Sequence, residues 1–271
     1  MRGILPIMFS EYLDRWRLTP DGEPIVTQSS RLLPVRRLGV PAMLKVVVSP
    51  EERGGGLLMK WWDGQGAARV LAHEGDALLM ERAEGGSSLA DLARNDRDDE
   101  ASRIICAVVA RLHAPRPLPP LDLMPLMRWF DALEPAAEVC GGILRLSAAT
   151  ASKLLATPRD VMVLHGDIHH GNILDFGPRG WLAIDPKGLS GERSFDYANI
   201  FCNPDHETAT MSGRLAHRVE LIAKAAALER ARLLQWILAW AGLSAVWLLD
   251  DGVSPESPLR VAELAAAELS R

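Results

Sequence analysis

A polar segment near residue 170 has the residue types and spacing that could support transfer of a phosphoryl group. It reads His165-Gly166-Asp167-Ile168-His169-His170-Gly171-Asn172, and an apolar run after a turn at residues 177–180 ends at Asp185. This pattern predicts a hairpin that brings Asn172 and Asp185 to the same end, beside Asp167. Mg²⁺ prefers oxygen ligands, and a further carboxylate can take the proton of an attacking hydroxyl. We therefore predict a magnesium site at Asn172 and Asp185 and a catalytic base at Asp167.

A second pattern nearby could be mistaken for the metal site. Asp175-Phe176-Gly177 spells the metal-binding motif of protein kinases. It follows Asn172 by only three residues, before the hairpin has turned. Because a kinase-like site places two short strands between the asparagine and the metal aspartate, we predict that Asp185, and not Asp175, binds the metal.

Two other functions are compatible with the polar segment, a metallohydrolase and a non-catalytic nucleotide-binding module. His165, His169 and His170 could belong to a metallohydrolase, but adjacent His169 and His170 would point in opposite directions on a strand. No distant histidine–carboxylate partner is evident in the sequence, and we predict that His165 orients the loop through hydrogen bonds. A non-catalytic nucleotide-binding module is also disfavoured, because Asp167, Asn172 and Asp185 are all present.

The elements that must position these residues divide into two parts. Residues 1–82 read as strands and turns, with a strong strand at 42–48, and residues 83–271 are mostly helical in pattern. Ser49-Pro50-Glu51-Glu52 has the form of a capping box, although the glycines that follow should weaken the helix. The predicted fold class is α+β with two lobes, a small β-rich one and a larger helical one. A cleft between such lobes is a natural ligand site.

The polar segment also resembles a known family. His165-Gly166-Asp167-x-His169-x-x-Asn172 and Ile184-Asp185-Pro186 resemble the catalytic loop and the metal-binding strand end of the aminoglycoside phosphotransferases. This resemblance implies a protein-kinase-like fold. It also implies an enzyme that uses ATP and Mg²⁺. It also implies the same roles for Asp167, Asn172 and Asp185 that the residue types suggest.

The resemblance extends to the expected nucleotide contacts. Lys45 resembles the strand lysine that contacts the α- and β-phosphates, and Glu52, or alternatively Glu51, would be its helix partner. No glycine-rich loop precedes Lys45, and the backbone amides of Ser29-Ser30 occupy the corresponding place. Backbone groups of Glu81 and Ala83 would bond adenine at the hinge between the lobes.

Longer segments resemble the streptomycin 6-phosphotransferases, which are grouped with the aminoglycoside/hydroxyurea antibiotic resistance kinases. These segments are residues 61–70, 179–186 and 195–201. The resemblance implies ATP-dependent phosphorylation of streptomycin at the 6-position, and thus antibiotic resistance. The alternative is a kinase of another small alcohol, similar to choline, homoserine or sugar kinases.

Streptomycin has two guanidinium groups, which call for carboxylates in the protein. The candidate substrate ligands are the acidic residues of the helical part, namely Glu192, Asp196, Asp205, Glu207, Asp250 and Asp251. Asp196 could instead hold the catalytic loop. Trp240 and Trp247 lie seven residues apart on one helical face, and their spacing favours core packing over stacking on the substrate.

Composition and charge limit the partners and the cellular location that we expect for this protein. The 271 residues have a net charge of −5, which argues against nucleic acid as a partner. The three cysteines form no C-x-x-C pair, and the apolar N-terminus lacks the features of a signal peptide. The apolar run at 236–249 is too short to span a membrane, which requires about 20 residues. We expect a monomeric cytoplasmic protein.

Overall fold

The N-terminal part of the chain is built on an antiparallel sheet. The computed structural model describes residues 7–49, 54–117 and 123–271. Within them, a six-stranded sheet has the order β1-β3-β4-β6-β5, with β2 paired to β3. Its strands are β1 (Leu18–Pro20), β2 (Ile25–Val26), β3 (Ser30–Arg37), β4 (Val40–Val47), β5 (Val70–Glu74) and β6 (Ala77–Glu81). The sequence-based prediction of strands in this part, including a strand at 42–48, is confirmed.

Side chains of β4 alternate between the two faces of this sheet. Leu44 packs in a core with Leu33, Leu79 and Phe9, and Phe9 lies on helix α1 (Ile7–Arg15). Lys45 comes next in the strand and therefore points to the opposite face. It is nevertheless buried, with 6% of its surface exposed. The strand thus delivers a lysine to the enclosed side of the sheet.

Helix α2 (Gly55–Trp62) follows the sheet strand that contains Lys45. The predicted capping box at Ser49 to Glu52 cannot be compared with it, because residues 50–53 lie outside the described residues. The glycines have a packing role that the sequence did not reveal. A Cβ atom at Gly55 would lie 2.4 Å from the carbonyl oxygen of Pro186. Only glycine therefore allows this close approach of α2 to the segment after Asp185.

The rest of the chain is mainly helical, as predicted. Its helices are α3 (Leu89–Arg94), α4 (Asp98–Leu112), α5 (Leu126–Trp129), α6 (Leu133–Cys140), α7 (Gly142–Ala156), α8 (His206–Ala209), α9 (Arg214–Ala226), α10 (Arg230–Asp250) and α11 (Glu256–Leu269). The α+β architecture, with a sheet first and helices after, is confirmed.

Helix α10 is the centre of the helical part. It has 21 residues, so it is longer than the apolar run that marks it in the sequence. By length and composition alone it could cross a membrane, but 67% of its most apolar window is buried inside the fold. This burial identifies α10 as a core helix of the fold. It packs against α7, α9 and α11.

Two small sheets position the polar segment. Strands β9 (Ile173–Asp175) and β10 (Trp181–Ala183) form the predicted hairpin, and Ala183 also exchanges backbone hydrogen bonds with Gly66 and Ala68. Strands β7 (Met124–Pro125), β11 (Leu189–Glu192) and β8 (Val161–Leu164) form the other sheet, in that order. The polar segment connects β8 to β9 and is thus fixed at both ends.

Candidate active site

Asp167 lies at the centre of the polar loop, and two amides hold its carboxylate. The side-chain nitrogen of Asn172 donates to Oδ2 of Asp167 at 3.1 Å and to its main-chain carbonyl at 3.0 Å. The side-chain nitrogen of Asn199 donates to Oδ1 at 2.8 Å. Both carboxylate oxygens of Asp167 therefore accept a hydrogen bond from a neutral donor, which fixes the plane of the group.

Asp185 lies at the far end of the hairpin and forms an ion pair with Lys45. Its backbone is left-handed, with φ of 64°, a conformation that is uncommon for a residue other than glycine. The adjacent Ile184 N–H donates to the Asn172 carbonyl at 2.9 Å. Asn172, Asp185 and Lys45 line the same cavity between the sheet and the helical part. The structure thus brings together the residues predicted for the metal and phosphate contacts.

Asp175 lies elsewhere, as predicted. Its carboxylate accepts hydrogen bonds from the amides of Gly177 at 2.9 Å and Ser87 at 3.3 Å. Its main-chain carbonyl accepts from Gly85 at 3.0 Å. Asp175 therefore ties the chain segment after β6 to the β9–β10 hairpin.

His165 is fully buried beneath the loop and connects its two ends. Its Nδ1 accepts from the Asp167 amide at 3.2 Å, so Nε2 carries the proton and donates to the Ile184 carbonyl at 2.9 Å. Burial lowers the pKa of His165 and favours this neutral form. One imidazole thus links the backbone of Asp167 to the residue before Asp185, which is the arrangement expected of a loop-orienting residue.

The described residues contain no cluster of three or more histidine, cysteine or acidic side chains arranged to hold a metal ion. His169 instead accepts a hydrogen bond at Nδ1 from the Gly171 amide, at 3.0 Å. His170 is buried, and neither of its ring nitrogens has a hydrogen-bond partner in the described part of the chain. This geometry gives no support to the histidine-based metallohydrolase.

Asp196 is not available to a substrate, and the structural alternative fits it instead. It is 1% exposed and accepts hydrogen bonds from the amides of His165 and Gly166, at 2.9 and 2.7 Å, and from His113 Nε2 at 2.8 Å. Burial opposes its negative charge, but these hydrogen bonds outweigh the burial and hold the pKa of Asp196 below its usual range. Asp196 therefore anchors the start of the catalytic loop.

Glu192 is also a buried structural residue rather than a substrate ligand. It is 2% exposed and pairs with Arg232. It also accepts from the Trp236 indole at 2.8 Å and from the Arg159 amide at 3.0 Å. Burial raises its pKa, but the hydrogen bonds outweigh that effect and the net shift is downward. The sequence prediction failed because these partners lie 33 to 44 positions away.

Asp205 has a local role at the start of α8. Its carboxylate accepts from the Thr208 amide at 2.9 Å, which caps the helix, and from Arg94 at 2.8 Å. The bond to the Thr208 backbone is the main reason that the pKa of Asp205 falls to about 2. Both carboxylate oxygens are therefore engaged within the protein, and the structure does not favour Asp205 as a substrate ligand.

The cavity around Lys45 contains some of the other predicted nucleotide contacts. Ser30 lines it, but the Ser30 amide donates to Thr27 Oγ1 at 3.0 Å instead of pointing an N–H outward. Ser29 lies at a neighbouring cavity. Glu52 and Glu51 lie outside the described residues.

The hinge residues lie at the end of β6. The Glu81 amide donates to the Arg69 carbonyl at 3.0 Å, and its side chain accepts from Arg69 and Arg179. Because the Glu81 amide is already used, a hydrogen bond between Glu81 and an adenine base would have to be accepted by the Glu81 main-chain carbonyl. Ala83 packs against the apolar cluster that includes Met80, a residue that lines the cavity.

A second cavity reaches Lys187, a neighbour of Asp167. It is lined by residues from five separate segments: Gln28, Ser29, Ser49, Trp129, Lys187, Trp247, Asp250 and Asp251. The ammonium of Lys187 lies 3.8 Å from Asp167 Oδ2 and so connects this cavity to the catalytic loop. The Trp129 indole N–H has no hydrogen-bond partner among residues the structure describes. The sequence analysis missed Lys187 and Trp129, and it assigned Trp247 to the core.

Comparisons with known proteins agree with this geometry. The sequence model of the aminoglycoside/hydroxyurea antibiotic resistance kinases matches residues 15–252. Streptomycin 3''-kinase of Klebsiella pneumoniae is 55% identical over 246 residues, covering 89% of this chain and 92% of the relative. Streptomycin 6-kinase of Streptomyces glaucescens is 31% identical over 278 residues, covering 95% and 87%.

Solved structures confirm the protein-kinase-like fold. A thermostable mutant of aminoglycoside phosphotransferase APH(4)-Ia, in a ternary complex with ADP and hygromycin B, superposes with a TM-score of 0.66 at 12% identity. The match covers 94% of this chain and 97% of that one. The fold, the loop geometry and the sequence matches together show that this chain belongs to the aminoglycoside/hydroxyurea antibiotic resistance kinase family.

Proposed function

We propose that this protein is an ATP-dependent O-phosphotransferase that inactivates streptomycin by phosphorylating its 3''-hydroxyl. The central observation is that Asp167 contacts one lining residue of each of two cavities, Asn172 in the first and Lys187 in the second. Asn172, Asp185 and Lys45 line one of them, and Lys187, Trp247 and two aspartates line the other. A donor and an acceptor could therefore meet at one carboxylate, which is what an in-line transfer requires.

The first cavity suits a nucleotide with magnesium. The Asn172 nitrogen is turned toward Asp167, so its amide oxygen is the atom left for a cation, and Asp185 supplies a carboxylate. Both are oxygen ligands of the kind that Mg²⁺ prefers, and the ion would neutralise phosphate charge when bound. Lys45 would contact the phosphates, and the apolar side chains of Leu78 and Met80 would contact the base.

Within this arrangement Asp167 would accept the proton of the attacking hydroxyl. Its two amide donors fix the carboxylate while leaving further lone pairs on each oxygen. Lys187, 3.8 Å from Asp167, would lie close to the phosphoryl group during its transfer and would counter the negative charge of the transition state. The transfer would therefore depend on positioning and electrostatics, as in other phosphoryl transfers.

The second cavity suits a cationic acceptor. Asp250 and Asp251 are exposed at its rim, where carboxylates can pair with guanidinium groups. Trp247 and Trp129 offer aromatic surface, and cations associate with such surfaces. We therefore assign acceptor binding to these residues in place of Glu192, Asp196 and Asp205.

The position of phosphorylation is revised from the 6-hydroxyl to the 3''-hydroxyl. The relative with 55% identity is named a 3''-kinase, whereas the 6-kinase is 31% identical. The two hydroxyls lie on different rings of the drug, so the choice between them is a choice of binding orientation. We further propose a nucleotide-binding lobe at residues 1–82, a catalytic and acceptor lobe at 83–271, and a monomeric enzyme in the cytoplasm.

The test is to incubate the purified protein with MgATP and streptomycin, and then to locate the phosphate by mass spectrometry and NMR. We expect a single added phosphoryl group on the 3''-oxygen. Phosphate on the 6-oxygen would contradict the position but not the enzyme class. If streptomycin stays unmodified while choline, homoserine or a sugar is phosphorylated, the substrate proposal is wrong.

A further inference from the structure

Asn199 is the part of the catalytic loop's surroundings that no motif indicated. We propose that it is a positioning residue for Asp167, which its side-chain nitrogen contacts at 2.8 Å. This inference rests on the proposed function, because it assigns a role to the base of that reaction. Asn199 lies in a short 3₁₀ segment, Asn199–Cys202, 32 positions after Asp167.

Two other donors fix the orientation of the Asn199 amide. Its Oδ1 accepts from the Trp240 indole at 3.0 Å and from the Asn203 side-chain nitrogen at 3.1 Å. The indole N–H can only donate, and the Asn203 nitrogen is fixed as a donor because it also donates to the Asn199 main-chain carbonyl at 3.0 Å, so the side-chain oxygen of Asn199 must face them. The nitrogen must then face Asp167. A flipped amide would place an oxygen against the carboxylate and leave an indole N–H facing a nitrogen.

The same indole connects the base to the acceptor cavity. Trp240 packs edge to face with Trp247 at 5.4 Å between ring centroids, and Trp247 packs in the same way with Trp129 at 5.2 Å. Trp129 and Trp247 line the proposed acceptor site. The surface that receives the acceptor is therefore in contact with the group that sets the orientation of the base.

The amide is one of several groups that act on the charge of Asp167. Lys187 and His169 lie 3.8 and 3.9 Å from its carboxylate oxygens. The buried His165 accepts from its amide, and the Lys45–Asp185 pair lies across the same loop. Among these groups, Asn199 and Asn172 make the close hydrogen bonds to the carboxylate. Because both are neutral, they fix the orientation of the Asp167 carboxylate and not its charge.

The decisive variant is Asn199→Asp, which keeps an acceptor for Trp240 and Asn203 but replaces the donor that faces Asp167. We expect kcat for streptomycin to fall about 10- to 100-fold, the effect of losing a hydrogen bond to a charged group. KM for ATP and for streptomycin should change less than about threefold.

A second variant removes the two donors that hold the amide, in Trp240→Phe combined with Asn203→Ala. The loss of kcat should exceed the product of the losses in the two single variants, because either donor alone still fixes the oxygen. Trp236→Phe is the matched control. It removes a buried indole hydrogen bond from the same helix, but to Glu192, and should lower the melting temperature without a specific loss of kcat.

Three results would overturn the positioning role. They are a kcat of Asn199→Asp within threefold of wild type, an equal loss of kcat in Trp236→Phe at equal loss of melting temperature, and independent effects in the double variant. Wild-type protein that fails to phosphorylate streptomycin contradicts the proposed function instead. The same variants are then compared in the slow hydrolysis of MgATP, in which water replaces the acceptor.

Discussion

Asp167 combines fixed geometry with nearby positive charge. Asn172 and Asn199 hold its two carboxylate oxygens, and Lys187 lies 3.8 Å away. A carboxylate held in this way can orient a hydroxyl without moving itself during the reaction. Its surroundings therefore suit a base that must accept a proton while phosphate charge develops nearby.

Asp167→Asn should remove the base while preserving the shape of the site. We expect kcat to fall about 10²- to 10⁴-fold, the usual contribution of general-base catalysis. The affinity for MgATP, measured by calorimetry, should stay within a few-fold of wild type, because Asp167 is not among the residues that line the nucleotide cavity. Turnover near the wild-type rate would exclude Asp167 as the base.

Lys187→Met should lower kcat by roughly 100-fold, because a cation would be lost where charge develops in the transition state. Steady-state kinetics with both substrates at saturation measures this. Lys224→Met is the matched control, since Lys224 is an exposed residue of α9. Similar activity of both variants would contradict a role for Lys187 in the transfer.

The acceptor acids give a separate test. Asp250→Asn together with Asp251→Asn should raise KM for streptomycin more than tenfold, because guanidinium–carboxylate hydrogen bonds contribute roughly 1.5–3 kcal/mol each. KM for ATP should not change. Glu207→Gln, in α8 and outside the cavity lining, is the control. An unchanged streptomycin KM in the double variant would place the acceptor elsewhere.

At this scale the sequence indicated some residues well and others poorly. Asn172 and Asp185 could be predicted because a single hairpin joins them, so their proximity follows from local spacing. Asn199 and Lys187 could not, because packing of separate segments brings them to Asp167. Glu192 looked like a surface acid because nothing near it in sequence reveals Arg232 or Trp236.

Among the elements, α2 packs tightly against the segment that follows Asp185. The sequence suggested that glycines 54–56 weaken this helix, whereas the structure uses Gly55 to approach Pro186. The helix therefore rests against the residue that follows Asp185. The distinction between a weak helix and a close contact depends on the partner, and the partner lies more than 100 residues away.

Gly55→Ala should displace α2 from Pro186 and disturb Asp185. A Cβ in that position would lie 2.4 Å from a carbonyl oxygen, and forced overpacking typically costs about 1–3 kcal/mol. We expect weaker MgATP binding by calorimetry and a lower melting temperature. Gly54→Ala is the matched control, because a Cβ there meets nothing within 4 Å. Equal behaviour of the two variants would contradict the packing role.

For the whole molecule, the burial of His170 makes the free energy of unfolding depend on pH. Burial is the main cause that lowers the pKa of His170 to about 2, and the nearby Arg218 and Arg214 add to it. In the unfolded chain its pKa returns to about 6.5. Below that value the unfolded state binds the proton first, so stability is complete above pH 6.5 and is lost as the pH falls.

We therefore expect the free energy of unfolding to decrease by about 1.4 kcal/mol for each pH unit below 6 through this residue. Urea titrations between pH 7 and pH 5 measure the slope. His170→Phe should reduce it, whereas His206→Asn, at an exposed position, should not. The depressed pKa values of Asp196 and Glu192 add stability that is lost only at lower pH, below their ordinary values of 3.8 and 4.5, where the unfolded chain binds these protons first.

The general architecture was the most predictable feature at this scale, because strand and helix periodicities are local. The kinase-like fold followed from two motifs and was confirmed. The choice between the 3''- and 6-hydroxyls was not predictable, since it depends on how the drug lies in a cavity whose lining comes from five segments. The length of α10 was also missed, because its first turn is polar in sequence.

Helix α10 combines a buried core segment with an exposed end that lines the proposed acceptor cavity. Trp236 near its start is fully buried, whereas Leu249 and Asp250 at its end are exposed at or beside the acceptor cavity. Substitutions in the last turn should thus cost little folding stability. Under selection by a new drug, resistance could therefore broaden through mutations at this helix end while the catalytic centre and core stay intact.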